Sequence, residues 1–244
     1  MGSNMSVQFN IEAIGCDALL IKFTGASNQR VMPIIAALQQ ALINQQAKTG
    51  IIDIVPSYQT ILLHFHLSKT SYTELAPYLS TIIKPILSTG LEIEKTSETL
   101  ITIPACYHQS LAIDIHAVAQ QHQLSHQDVV ELHSAKIYTC YTIGFMPGFG
   151  YLGDLDTKLH TPRLKTPRST VSAGSIAIAD NQTAIYPQDS PGGWHIIGKT
   201  PSSMLACSED GLMQSRLYVG CQVQFQPISL DEYQQRLTAI ENDL

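Results

Sequence analysis

Hydrophobic and polar positions alternate along the first hundred residues with two distinct periods. Val7 to Ile14 and Ala18 to Phe23 follow the two-residue alternation of strands, and Gly15-Cys16-Asp17 separates them as a turn. Ile34, Ile35, Leu38, Ala41 and Leu42 then recur at helical spacing and share one face; Ser27 or Asn28 supplies an N-cap and Gly50 a stop. Ile51 to Val55 and Thr60 to Leu67 are rich in β-formers and are parted by Pro56-Ser57. Tyr72, Leu75, Leu79, Ile82, Ile83 and Ile86 mark a second amphipathic helix over Ser71 to Leu87, and Leu91 to Ile103 returns to strand-like alternation. The order β-β-α-β-β-α-β predicts a small α+β domain of ferredoxin-like type, with an extra strand, over residues 5–103.

Pro104 marks a change of pattern and opens a second domain over residues 104–244. Two short helices are expected near Asp114 to His122 and Gln127 to His133, the second with Ser125 and Asp128 as a capping box. From Lys136 onward, glycine and proline punctuate short β-branched runs: Ile137 to Ile143, Ser175 to Ala179, Thr183 to Tyr186, His195 to Ile197 and Gln222 to Phe225. Many short strands between turn residues predict a barrel or sandwich. Asp231 to Leu244 reads as a polar terminal helix.

Composition narrows the class. Of 244 residues, 44% are hydrophobic and 14% charged, enough apolar material for a packed core. No stretch reaches the roughly 18 consecutive apolar residues of a membrane span. A formal charge of -6 argues against nonspecific binding to nucleic acid or anionic membrane. The five cysteines are irregularly spaced without a CxxC, and no basic-then-apolar leader is visible, so a reducing, cytoplasmic setting is expected. Ala112 to His133 has the look of a helix-turn-helix but contains no Lys or Arg, which makes it packing rather than a DNA reader. The pairs His64/His66 and His122/His126 lack a third ligand nearby in sequence, so no metal site is expected.

Three segments carry candidate chemistry. Gly144-Phe145-Met146-Pro147-Gly148-Phe149-Gly150-Tyr151-Leu152-Gly153 sets four glycines and a proline among three aromatics; it suits either close backbone approach to a ligand or a glycine-bent barrel corner. Lys158 to Arg168 holds four of the 14 basic residues and no acid. Arg163 and Arg168 each follow a proline, which fits either a bidentate anion site or a solvated basic loop. Asp189 to His195 places Gly192-Gly193 beside the sole tryptophan, Trp194; a core tryptophan on a tight turn is expected there, with His195 as the stronger site candidate. Gly193 to Thr200 also matches GxxxxGK[ST], but its inner residues are bulky and strand-like and Pro201 follows, so a phosphate loop is not expected. No GxSxG, HExxH or glycine-flanked catalytic cysteine occurs.

The run from Gly144 to Pro201 closely resembles the allophanate hydrolase subunit 1 family, which takes in 5-oxoprolinase subunits and the Kip-type inhibitor of a sporulation histidine kinase. Weaker similarity extends upstream through Asp114-Ile115-His116-Ala117-Val118-Ala119 and Glu131-Leu132-His133-Ser134. The family's usual G-P-D-L reads Ala112-Ile113-Asp114-Ile115 here, its usual Gly-Asp before the last strand reads Gly220-Cys221, and Lys199 stands where Arg is commoner.

This resemblance implies a C-terminal cyclophilin-like β-barrel, a related subunit 2 as partner, and a larger third subunit. Together these would open 5-oxo-L-proline to L-glutamate with ATP, this chain being inactive alone. Inhibition of a sensor histidine kinase, or service as a carboxyltransferase component of a urea carboxylase or allophanate hydrolase system, are the alternatives it leaves open. Under the oxoprolinase reading, Arg163 and Arg168 hold anionic groups and Gly148, Gly150, Gly192 and Gly193 allow close approach. Phe145, Phe149 and Tyr151 wall the site, and His195 transfers a proton or donates a hydrogen bond.

Overall fold

A computed structural model of the chain describes residues 7–88, 100–208 and 210–242. The chain forms two compact units, Met1–Glu98 and Thr99–Leu244.

In the first unit β1 (Gln8–Ala13), β2 (Ala18–Thr24), α1 (Asn28–Ile43), α2 (Gln46–Thr49), β3 (Ile51–Ser57), β4 (Thr60–Phe65) and α3 (Tyr72–Ser88) follow one another. The strands form one antiparallel sheet in the order β1-β2-β4-β3. Alternate residues of the two central strands are buried: Leu19, Ile21 and Phe23 on β2, Ile61, Leu63 and Phe65 on β4. Leu19 lies opposite Leu63 and Ile21 opposite Ile61, so the buried set shares one face of the sheet. Val31, Ile35, Leu38 and Leu42 make the buried stripe of α1, and Leu75, Leu79 and Ile83 that of α3. Each such burial stabilises by roughly 1.5–3 kcal/mol. Gly50 ends α2 in the left-handed region at φ +74°, where a Cβ would come within 2.9 Å of the Lys69 Cβ.

The second unit holds β5 (Leu100–Cys106), α4 (Ile115–Gln121), α5 (His126–Ser134), β6 (Ile137–Ile143), β7 (Gly150–Gly153), β8 (Arg168–Val171), β9 (Ser175–Ala179) and β10 (Gln182–Ile185). It continues with β11 (Ser190–Gly192), β12 (His195–Lys199), β13 (Leu205–Cys207), β14 (Met213–Ser215), β15 (Gln222–Ile228) and α6 (Leu230–Asn242). Seven strands close a barrel in the order β10-β7-β6-β15-β5-β12-β9, while β8-β11 and β13-β14 form separate two-stranded ribbons. Strand β5 runs parallel to β15, with Pro104 opposite Gln226. Pro104 therefore lies inside a barrel strand, and the division between the units falls at Thr99 instead. Of the strand expected over Leu91 to Ile103, the part before Leu100 lies outside the described residues; the rest belongs to β5 and to the barrel, not to the first unit's sheet.

Both faces of the barrel wall are covered. Ile176 and Ile178 of β9 belong to an inner apolar cluster with Tyr138, Leu152, Ile185, Ile197, Val223 and Phe225. Ala177 and Ala179, which alternate with them, join an outer cluster with Phe149, Val171, Ala184, Tyr186, Trp194 and Ile196. Ile115, Val118 and Val129 of the α4-α5 pair sink into the inner cluster, which is the packing expected of that segment. The Ser125–Asp128 capping box is formed.

Inside the barrel one polar chain is fully satisfied. Thr183 Oγ1 donates to the Ala177 carbonyl (3.0 Å), so it accepts from His133 Nε2 (2.9 Å), and His133 Nδ1 accepts from the Tyr107 hydroxyl (2.7 Å). Burial pushes the His133 pKa down to about 3, so the ring is neutral, and with Nε2 donating to Thr183 its Nδ1 is left as the acceptor for Tyr107.

Candidate functional site

The three candidate segments meet on the outer face of the barrel. Phe149, 2% exposed, is the hub: its ring centre lies 4.9 Å from Tyr151, 5.3 Å from Tyr186, 5.4 Å from Phe145 and 5.7 Å from Trp194, always edge to face. Such pairs add about 0.5–1.5 kcal/mol each beyond area burial. Phe145 differs from the others. It sits at φ +68°, a backbone region that non-glycine residues enter at a cost, and the residue is 62% exposed.

Two backbone-directed bonds attach the Arg163 loop to the tryptophan segment. His195 Nε2 donates to the Pro162 carbonyl (3.0 Å), and Leu164 N–H donates to the Gly193 carbonyl (2.8 Å). Arg163 is thereby laid over the Trp194 ring, 5.8 Å from its centre. Its only carboxylate neighbour within ion-pair range among the described residues is Asp180 at 3.9 Å, and both side chains are about 60% exposed, a pairing of little energetic weight. The Arg163 charge is therefore available to a guest.

Arg168 is committed instead. Its Nη2 donates to Asp114 Oδ1 at 2.6 Å and its Nη1 to the Trp194 carbonyl at 3.4 Å, with the Arg168 and Asp114 side chains 28% and 12% exposed. The expected pair of anion-holding arginines thus separates into one available cation and one neutralised by a carboxylate. Tyr186 lies among these groups. Burial pushes its phenol up, while the Trp194 backbone N–H and the two guanidinium groups favour its ionised form.

The glycines make room mainly for protein. A Cβ on Gly192 would come within 2.3 Å of the Tyr186 hydroxyl, one on Gly148, at φ +80°, within 2.8 Å of Leu205, and one on Gly150 within 2.7 Å of Leu217. At each of these three a side chain of the protein occupies the space that a Cβ would need. Gly193 meets only ordinary contacts, the nearest being Pro167 at 3.6 Å.

His195 lies on the other face of β12. It pairs with Ile178 of the inner cluster, whereas its neighbour Ile196 pairs with Ala177 of the outer one. Proton transfer from His195 to a guest on Arg163 is not supported by this placement. Its Nε2 hydrogen is spent on Pro162, and its Nδ1 is buried with no partner. Ser190 Oγ, on β11, is likewise buried and unpartnered.

The sequence does not single out Asp114 or Tyr186 for this site. Asp114 is more than fifty positions from its partner Arg168, and Tyr186 reads as the end of an apolar strand; only spatial neighbourhood marks either. Gly193 to Thr200 runs into and along β12, with Lys199 Nζ bonded to Ser172 Oγ (2.9 Å), so it does not fit a nucleotide phosphate. A separate open groove of about 460 Å³ lies in the first unit between β1 and α3, against Phe9, Ile11, Tyr72 and Pro77; no charged side chain lines it, which suits no anion. Among the described residues no group of three His, Cys, Asp or Glu is gathered, and no helix is long and apolar enough to cross a membrane.

The family described as carboxyltransferase domain, subdomain C and D, matches residues 9–212. A 5-oxoprolinase subunit of Bacillus subtilis (strain 168) is 31% identical over 236 residues, covering 94% of this chain and 97% of that protein. A crystal structure of TTHA0988 is similar with a TM-score of 0.73 and 28% identity, over 87% of this chain and 40% of that one. The urea amidolyase of K. lactis has a TM-score of 0.72 over 96% of this chain and 16% of its own, at 15% identity, a likeness of fold alone. This chain spans less than half the length of either of those two.

Proposed function

Because the chain belongs to the family of the carboxyltransferase domain, subdomain C and D, we propose that it is a subunit of an ATP-dependent 5-oxoprolinase that opens 5-oxo-L-proline to L-glutamate. The observation that carries this reading is the near end-to-end similarity to a protein named as a 5-oxoprolinase subunit. It acts with a subunit 2 homologue and a larger subunit, and alone it is inactive. Its setting is the cytoplasm. The first unit reads as a ferredoxin-like sandwich and the second as a cyclophilin-like barrel.

The geometry supports a binding role for this chain. The substrate is a small carboxylate on a five-membered lactam. Arg163, exposed, resting on the Trp194 ring and paired with Asp180 only at long range, takes the carboxylate, while the exposed Phe145 ring covers the apolar edge of the lactam. ATP supplies the activation that a resonance-stabilised amide needs before its ring opens. Around Arg163 and Trp194, among the described residues, no nucleophile is hydrogen-bonded to a base, so the chain contributes recognition and partner subunits complete the reactive centre.

Co-expression with its partner subunits, followed by an assay for ATP-dependent glutamate release with and without this chain, tests the proposal. Activity that requires the chain and weakens in Arg163→Ala is expected. Full activity without the chain, or no activity in the complete assembly, overturns it.

A further inference from the structure

The side chain of Asp114 is spent on other elements of the fold. It directly precedes α4 and is 8% exposed. Its Oδ1 accepts from Arg168 Nη2 (2.6 Å) and its Oδ2 from the Ile196 backbone N–H (2.7 Å). Its own N–H donates back to the Ile196 carbonyl (2.9 Å). Arg168 in turn donates from Nη1 to the carbonyl of Trp194 (3.4 Å). The Trp194-His195-Ile196 segment is therefore gripped twice: directly at Ile196, and at Trp194 through Arg168.

What that grip controls is the shelf beneath Arg163. The indole of Trp194 supports the guanidinium of Arg163. Arg168 also begins β8 and lies opposite Gly192 of β11, so the same ion pair holds the ribbon beside the Gly192-Gly193 turn. A rotation of the Trp194 peptide would carry the indole, and with it the Arg163 head group, away from its present place. A carboxylate is the right group for this task. It accepts two bonds at once in a fixed plane, and it neutralises Arg168, which leaves Arg163 as the cation open to the substrate.

We infer that Asp114 is a positioning residue of the substrate site: acting through Arg168 and the β12 backbone, it fixes Trp194 and thereby the guanidinium of Arg163 that receives the substrate carboxylate. This rests on the oxoprolinase reading for the identity of the substrate, but not for the mechanical link, which has its own readout. Trp194 is the chain's only tryptophan, so its fluorescence reports the shelf directly.

The test uses the complete assembly. Asp114→Asn is expected to raise KM for 5-oxo-L-proline about tenfold while kcat stays within about threefold, and Asp114→Glu to recover part of the loss. Because part of the effect of Asp114 runs through Arg168, Asp114→Asn added to Arg168→Gln should raise KM by less than the product of the two single effects. Multiplying effects, or an unchanged KM in Asp114→Asn, overturn the inference. If Asp114→Asn does not fold, Arg168→Lys keeps the charge but loses the two-pronged contact; it carries the same expected rise in KM, and an unchanged KM again overturns the inference. If the wild-type assembly shows no oxoprolinase activity, the functional reading fails, and the link is judged on this chain by acrylamide quenching of Trp194. Stronger quenching in Asp114→Asn or Arg168→Lys then supports it, and quenching equal to wild type overturns it.

Discussion

The guanidinium of Arg163 lies 5.8 Å from the centre of the Trp194 ring, and it stays there because two bonds, from His195 to Pro162 and from Leu164 to Gly193, tie its loop down. The arrangement separates position from charge. Trp194 and the loop place the arginine, and the long contact to Asp180 leaves its charge largely unspent.

Arg163→Ala should therefore weaken substrate binding with little effect on folding. Loss of a charge-assisted contact of about 1.5–3 kcal/mol corresponds to roughly a 10- to 100-fold rise in KM. Steady-state kinetics of the reconstituted complex, beside thermal melting of the variant, measure both. A drop in melting temperature of more than a few degrees would mean that Arg163 is structural.

Stability should fall as acid is added, because of His133. Its folded pKa is about 3, below the ordinary 6.5 of an exposed imidazole. Between those values the unfolded chain binds a proton that the folded chain refuses, so stability rises with pH across that window and is lost as pH drops from about 6.5 toward 3. From pH 7 to pH 5 the loss from this group amounts to about 2 kcal/mol. Denaturant titrations at several pH values measure it. Substituting His133 by Phe should abolish this part of the slope, while costing about 1–3 kcal/mol because the buried Tyr107 hydroxyl loses its acceptor and Thr183 Oγ1 loses the donor it accepts from.

Gly192→Ala should destabilise by about 1–3 kcal/mol, since the new methyl would meet the Tyr186 hydroxyl at 2.3 Å. Adding Tyr186→Phe removes the nearest clashing atom and should restore part of the loss. Chemical denaturation of the two single variants and the double variant gives the coupling; strictly additive losses would rule out this contact as the cause.

Thiol labelling under native conditions should be biphasic. Cys16 and Cys207 are exposed and should react first, whereas Cys106, Cys140 and Cys221 are buried and should wait for unfolding. Within the buried set the Cys140 S–H holds the Cys221 thiol below its ordinary value, and Cys140 itself is pushed up. Fast modification of Cys221 in the native chain would contradict its burial.

Periodicity is a reliable guide wherever one residue type has one reason to be there. Leu75, Leu79 and Ile83 face a core because a helix repeats every 3.6 residues, and Ser125 with Asp128 forms its capping box because both bonds are local. Gly150–Gly153 and Ser190–Gly192 do not read as strands, because their glycines and proline signal turns; they are strands because neighbouring segments supply the pairing.

The sequence alone was sufficient for the boundaries of β6 and β9 and for the Ser125–Asp128 capping box of α5. All of these follow from local spacing or from residues contiguous in the chain. Only the tertiary structure decided that Arg163 and Arg168 have different fates and that the glycines make room for Tyr186, Leu205 and Leu217. Charge pairing and steric room depend on which atoms are brought within a few ångströms. Asp114 reaches Arg168 only when the barrel closes, a distance that spacing along the chain does not encode.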